Sequence, residues 1–408
     1  MIAQSRWLET PAHVTERPGE LPAGFRASGV AAGLKPSGAR DVALLVSDAR
    51  DTVSAARFTR SGVLAAPVLL CQKRVRLEAI RAVVANSGNA NAATGNRGLE
   101  DAARMQGAAA MASGVREDQV AVASTGVIGV PLDARAVIKG IASARPQLRP
   151  DGAEDFSEAI RTTDAYAKDV AVDVELPSGT VRLTAQAKGA GMISPAFATM
   201  LCFVQTDAKL APETADLLLG VCVKRSFDRV SVDGQLSTND TAILMASGAS
   251  GVAIEPESDD ELRFGEALDW ALRRLALAIV ADGEGSKRIG RVLVRAHDEH
   301  TAAKAARAIA NSPLVKAALH GGDPNWGRIA QAVGGAVYDA PLAPDIWIED
   351  AQVCAGGVAV AYDEAALALA VSGDEVEYTV SLGGEAEAEV FFSDLSHEYV
   401  TINADYTT

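Results

Sequence analysis

The stretch AKGAGMISPAFATMLCF (187–203) passes two glycines and a proline, reaches Thr199, and then enters an apolar run. A threonine hydroxyl attacks a carbonyl only when something takes its proton. The α-amine of a chain that begins with threonine can do this near its unperturbed pKa of roughly 7.7–8. Thr199 is internal, so that amine exists only once the Ala198–Thr199 bond is cut. Thr199 Oγ can attack the preceding carbonyl itself, giving an ester that water hydrolyses. The step needs backbone freedom upstream and a small residue before the nucleophile, and Gly189, Gly191, Pro195 and Ala198 stand there. Residue chemistry alone leaves two readings: a self-cleavage site, or a loop leading into a buried strand.

Upstream, DVAVDVELPSGTVRLTAQA (169–187) alternates with period two about a Pro-Ser-Gly turn and reads as a hairpin. Downstream, PETADLLLGVCVKRSF (212–227) and SDDELRFGEALDWALRRLALAIVADG (258–283) repeat their apolar residues at helical spacing, with Ser258 or Asp259 as cap for the second. GLEDAARMQGAAAMASGV (98–115) is Ala-rich and predicts a helix. DVALLVSD (41–48) and AAPVLLCQ (65–72) read as buried strands. RIGRVLVRA (288–296) reads as a strand followed by a helix, and the last 60 residues hold several short alternating strands. Residues 1–20, with Pro11 and Pro18, predict a loose leader, and the Gly-rich turn ADGEGSKR (281–288) marks a domain boundary. The fold class is α/β with many hairpins. GAGMIS (189–194) lacks the third glycine of a dinucleotide fingerprint.

Composition narrows the function. The 408 residues are 48% hydrophobic, enough for a sizeable core. The net charge of −15 disfavours a nucleic-acid partner. No apolar run approaches the roughly 20 residues of a membrane helix, and the N-terminus lacks the apolar core of a signal peptide. Cys71, Cys202, Cys222 and Cys354 are scattered and match no metal or disulfide framework, so a reduced, cytoplasmic setting is expected. His297 and His300 have spacing for a shared metal but no third ligand in view. ASTGVIGVP (123–131) reads as a turn whose N–H groups and Thr125 hydroxyl suit an oxyanion hole. GGDPNWGRI (321–329) reads equally as a packed corner or part of a site.

Taken together, GFRASGVAAGLKP (24–36), NSGNANAATG (86–95), STGVIG (124–129), TTDAYAKD (162–169), AKGAGMISPAFATML (187–201), VDGQLSTNDT (232–241), DGEGSKR (282–288), SPLVKAALHGGDPNWGRI (312–329) and YVTINADYTT (399–408) resemble the ornithine acetyltransferase family of arginine biosynthesis, also called glutamate N-acetyltransferase. The resemblance implies self-cleavage between Ala198 and Thr199, giving an alpha chain (1–198) and a beta chain (199–408) that assemble as a heterotetramer of two of each. It implies a four-layer αββα sandwich similar to N-terminal nucleophile hydrolases but differently connected, spanning about 20–283, then a smaller C-terminal α/β domain at 284–408. Catalytic positions would be Thr199 as nucleophile with Thr125 and Gly126 at the oxyanion. Substrate contacts would be Thr162, Lys188, Thr199, Glu284, Asn403 and Thr408.

The implied reaction moves an acetyl group from N-acetylornithine to glutamate by a ping-pong route, with no metal or nucleotide cofactor. Acetyl-CoA as an alternative donor stays open. So do a relative acting on another acyl group, an aminopeptidase of the same architecture, and an uncleaved amino-acid-binding chain. Ala196, Phe197, Ala167, Ser286 and Lys287 depart from the family pattern and bear on cleavage and specificity.

Overall fold

The computed structural model describes residues 5–194, 200–338 and 340–405. Ala196, Phe197, Ala198, Thr199 and Thr408 therefore lie outside the described residues. In chain order the first part holds β1 (Val14–Glu16), β2 (Phe25–Val30), β3 (Val42–Ser47), β4 (Val53–Phe58), α1 (Ala66–Arg74), β5 (Ala82–Asn89), α2 (Gly95–Ser113), β6 (Val120–Val127), α3 (Ala134–Ala144), α4 (Ala153–Ile160), β7 (Lys168–Leu176), β8 (Gly179–Lys188), β9 (Leu201–Thr206), α5 (Pro212–Arg225), β10 (Val230–Ser231), β11 (Thr241–Ala246) and α6 (Asp259–Ala281). The second part holds β12 (Ile289–Ala296), α7 (Glu299–Asn311), α8 (Pro313–Gly321), α9 (Trp326–Ala336), β13 (Asp345–Ile348), β14 (Ala351–Ala355), β15 (Val358–Ala359), α10 (Glu364–Ala370), β16 (Glu375–Ser381), β17 (Ala386–Ser393) and α11 (His397–Asp405).

Two sheets face each other. One has the order β1-β7-β8-β9-β11-β4 and the other β2-β3-β5-β6. Alternation along each strand sorts its side chains. Cys202 and Val204 of β9 and Ala242 and Leu244 of β11 pack outward with Leu219 of α5 and Phe264, Leu268 and Leu272 of α6. Leu201, Phe203, Ile243 and Met245, one step along the same strands, pack inward with Leu45, Val83, Ala85 and Ala123 of the smaller sheet. The smaller sheet's other face carries Met105 of α2 and Val137 and Ile141 of α3. The layers are thus helix, sheet, sheet, helix, an αββα sandwich. Helix α4 wedges in beside them, with Phe156 meeting Phe203 edge to face at 5.3 Å between ring centres. A third sheet, β10-β17-β12-β16-β13-β14-β15, has its own core with α7, α8 and α9, drawn from residues 292–392.

The predicted hairpin is β7–β8, paired from Lys168 against Ala187 to Leu176 against Gly179. The predicted helices are α2, α5 and α6, and the Ser258 hydroxyl caps α6 by accepting Glu261 N–H at 3.2 Å. Two expectations fail outside the candidate site. AAPVLLCQ is not a strand: it forms α1, which Pro67 opens and Lys73 and Arg74 close. The leader, where described, is not loose. Val14–Glu16 pairs with β7, the Arg6 guanidinium grips Glu349 at 2.8 Å, and Trp7 packs on Phe391. Among the described residues no helix is long and apolar enough to cross a membrane.

Candidate active site

Strand ends converge at one edge of the sandwich. Thr125 and Gly126 lie in β6, paired in register with Ser87 and Gly88 of β5, so residues 124–127 end a strand and the chain bends only from Ile128 on. Gly126 has φ +130°, and a Cβ there would lie 2.4 Å from the Gly88 carbonyl carbon. Only glycine allows the two backbones this close, and the ladder slips at Gly88–Asn89 beside it. Alternation turns Thr125 to the inner face with Ala123, while Ser124 turns outward and donates to Asn86 Oδ1 at 2.6 Å.

Lys188 ends β8 opposite Leu201, the first residue of β9. It is 3% exposed, and among the described residues its ammonium has no hydrogen-bond or ion-pair partner. Burial lowers its pKa, opposed by the nearby Asp164 carboxylate. Asp164 organises this wall. It accepts from Gly189 N–H at 2.7 Å, Thr162 N–H at 3.1 Å and the Lys168 ammonium at 2.7 Å. Lys168 also donates to Asp282 at 2.6 Å, two positions before Glu284. Burial pushes the Asp164 carboxyl upward, but the Lys168 and Lys188 ammoniums outweigh it and hold it well below the usual range.

Glu284 follows α6, its N–H donating to Ala190 O at 3.2 Å. Its carboxylate accepts from Asn403 Nδ2 of α11 at 2.6 Å and stands directly over Gly191. Tyr399, one turn before Asn403, donates its hydroxyl to Asp233 at 3.4 Å. The cavity so formed holds about 210 Å³ and is lined by Thr125, Gly126, Thr162, Lys188, Glu284 and Asn403. These are all the expected site residues that the structure describes. Lys188 among them pairs with Leu201, which opens β9 two residues after Thr199. A cavity of about 310 Å³ along α6, beside Tyr166 and Trp270, contains none of them.

The sequence reading missed Asp233, Asn239 and Tyr399 in this wall. Their signal was present in VDGQLSTNDT and YVTINADYTT, but an Asp-Gly pair reads as a turn. GGDPNWGRI is a corner between α8 and α9, where the Asn325 side chain caps α9 through Arg328 N–H at 3.3 Å; none of its residues lines the 210 Å³ cavity. Ser286 donates to Arg288 O, and Lys287 N–H to Asp394, so neither departure beside Glu284 faces that cavity.

The ArgJ family model matches residues 26–408. An arginine biosynthesis bifunctional protein ArgJ from Symbiobacterium thermophilum is 45% identical, over 95% of this chain and 98% of that protein. One of the same description from Caldanaerobacter subterraneus subsp. tengcongensis is 43% identical, again over 95% and 98%. A solved ornithine acetyltransferase from Mycobacterium tuberculosis, complexed with ornithine, is 36% identical, covering 46% of this chain and 98% of its own, at a TM-score of 0.41. The chain belongs to the ArgJ family.

Proposed function

We propose that this chain moves the acetyl group of N-acetylornithine to glutamate through an ester on Thr199, after cutting itself between Ala198 and Thr199. One observation carries the reading. One cavity gathers a buried ammonium that has no partner among the described residues, a carboxylate and two oxyanion-type donors from strands and helices far apart in the chain.

Each group has a task. Thr199 Oγ attacks the acetyl carbonyl carbon while its own α-amine takes the proton. The oxygen that becomes negative is met by the Thr125 hydroxyl and the Gly126 N–H. The carbon–nitrogen bond breaks, the proton passes to the departing amine, and ornithine leaves. Glutamate's amine then attacks the ester, and the same donors hold the second tetrahedral oxyanion. Lys188 anchors the α-carboxylate common to both substrates, its ammonium being free to do so among the described residues. Glu284, oriented by Asn403, receives a substrate ammonium, and Thr162 and Thr408 supply hydrogen bonds. No step calls for a metal or nucleotide cofactor. Acetyl-CoA serves as a second donor to glutamate, as the bifunctional naming of the relatives suggests. The alpha and beta chains stay together, two of each, in the cytoplasm.

Double-reciprocal plots with N-acetylornithine and glutamate varied should be parallel, because the first product leaves before the second substrate binds. Intersecting plots would mean direct transfer in a ternary complex and remove Thr199 from its role.

A further inference from the structure

The segment 232–241, VDGQLSTNDT, holds the chain on both sides of the 198–199 bond, and we propose that it is the positioning device for self-cleavage, with Asp233 and Asp240 as its two grips. The inference rests on the reading that the chain cuts itself before Thr199.

The upstream grip closes on Met192 and Ile193. Asp233 accepts Met192 N–H at 2.6 Å with one oxygen and Ile193 N–H at 2.9 Å with the other. The Ile193 carbonyl in turn accepts three backbone N–H groups, those of Val232 at 3.0 Å, Asp233 at 3.3 Å and Gly234 at 3.1 Å. Met192 has φ +59°, a left-handed conformation that disfavours a side chain by about 1–3 kcal/mol. Such strain persists only where surrounding contacts over-determine it, and the hydrogen bonds gathered on Met192 and Ile193 do so here.

The downstream grip closes on Met200. Asp240 accepts Met200 N–H at 3.1 Å, and Thr241 N–H donates to Met200 O at 3.0 Å. Met200 nitrogen is bonded to the Thr199 carbonyl carbon, so Asp240 fixes the peptide unit attached to the nucleophile. Asp240 is 1% exposed. Burial pushes its carboxyl well above the usual range, against the Thr59 and Ser237 hydroxyls, the Met200 N–H and the Lys188 ammonium, which lower it. Asparagine keeps the oxygen that takes the Met200 N–H.

Cleavage starts when Thr199 Oγ bonds to the Ala198 carbonyl carbon. The bond from that carbon to Thr199 nitrogen breaks, and the hydroxyl proton passes to the nitrogen. Water then hydrolyses the ester, leaving a carboxylate on Ala198 and a free amine and hydroxyl on Thr199. Tethering both ends of the short connection, residues 194–199, restricts the conformers available, so fewer must be searched before oxygen meets carbon. After the cut, the upstream grip becomes a contact between the two chains. It keeps Gly191 and Met192 in the cavity wall.

The test follows cleavage of freshly synthesised protein from a cell-free system by pulse-chase on denaturing gels. Asp233→Ala and Asp240→Ala should slow cleavage at least tenfold while retaining a cooperative melt by circular dichroism. Asp240→Asn, which keeps an oxygen for the Met200 amide, should recover most of the rate. Asp240→Asn as slow as Asp240→Ala, or both alanine variants at the wild-type rate, would overturn the clamp alone. A wild-type chain that stays whole would overturn the cleavage reading with it. Where an alanine variant does not fold, hydrogen exchange on Thr199→Ala protein reads the grips directly. The Met192, Ile193 and Met200 amides should be protected, and exchange at unstructured rates refutes the clamp.

Discussion

Gly191→Ala isolates the role of Glu284. A Cβ on Gly191 would stand 2.5 Å from Glu284 Oε1, 2.6 Å from its carboxyl carbon and 2.7 Å from Oε2, where ordinary contact begins at 3.4 Å. The carboxylate must therefore retreat by about 1 Å, and its 2.6 Å bond from Asn403 cannot survive in its present geometry. A misplacement of about 1 Å in a positioning group can cost about 10²-fold in rate. The fold should hardly notice. Gly191 has no left-handed φ, and the atoms that yield are the far end of a flexible side chain. The alanine also lowers unfolded-chain entropy, worth about 0.4–1 kcal/mol in favour of folding. The contrast is Gly126→Ala, where the new atom meets Gly88 backbone at 2.4 Å and the sheet itself must move. Steady-state kinetics on Gly191→Ala should show kcat/KM for acetyl transfer down about 10²-fold, with complete self-cleavage and a melting temperature within a few degrees of wild type. Unchanged kcat/KM would refute the assignment of Glu284 as a substrate contact. Loss of folding would show that Gly191 serves packing instead.

Thr125→Ala removes one of two donors to the developing oxyanion and should lower kcat by about 10²–10³, and unchanged turnover would assign Thr125 another task. Lys188 must be charged to hold a carboxylate, and burial lowers its pKa below the usual 10.5, so kcat/KM should fall as pH rises through that lowered value. Lys188→Arg, which stays charged, should move the alkaline limb upward; an unmoved limb refutes the attribution. Lys168→Met leaves the buried carboxylates of Asp164 and Asp282 without their shared cation and should cost about 3–5 kcal/mol by denaturant unfolding, whereas a loss under about 1 kcal/mol would show the triad to be dispensable.

Local pattern was sufficient where a long element repeats one period. The 23 residues of α6 and the β7–β8 hairpin were legible because their apolar spacing persists over many positions. AAPVLLCQ was not, since a short apolar run bounded by small residues fits a buried strand or a buried helix equally, and Pro67 at the helix start was the overlooked sign. The leader was misread because what fixes it is remote. Arg6 finds Glu349 and Trp7 finds Phe391, partners that no local window contains. The site divides in the same way. Thr125 and Gly126 could be picked out from their own segment, and Lys188 stood in the quoted stretch around Thr199, but Asn403 and Glu284 meet across 119 positions and were named only through the family resemblance. Asp233 escaped because its closest partners are backbone N–H groups, which leave no mark in a sequence, and its side-chain partner Tyr399 lies 166 positions away.

The central claim is an acetyl ester on Thr199, and intact-protein mass spectrometry tests it most directly. Protein given N-acetylornithine without glutamate should carry one acetyl group on the 199–408 fragment, located at its N-terminal threonine. Adding glutamate should remove that group and release N-acetylglutamate. Steady turnover with no acetyl on Thr199 at any time, in samples quenched within one catalytic cycle, would contradict the account.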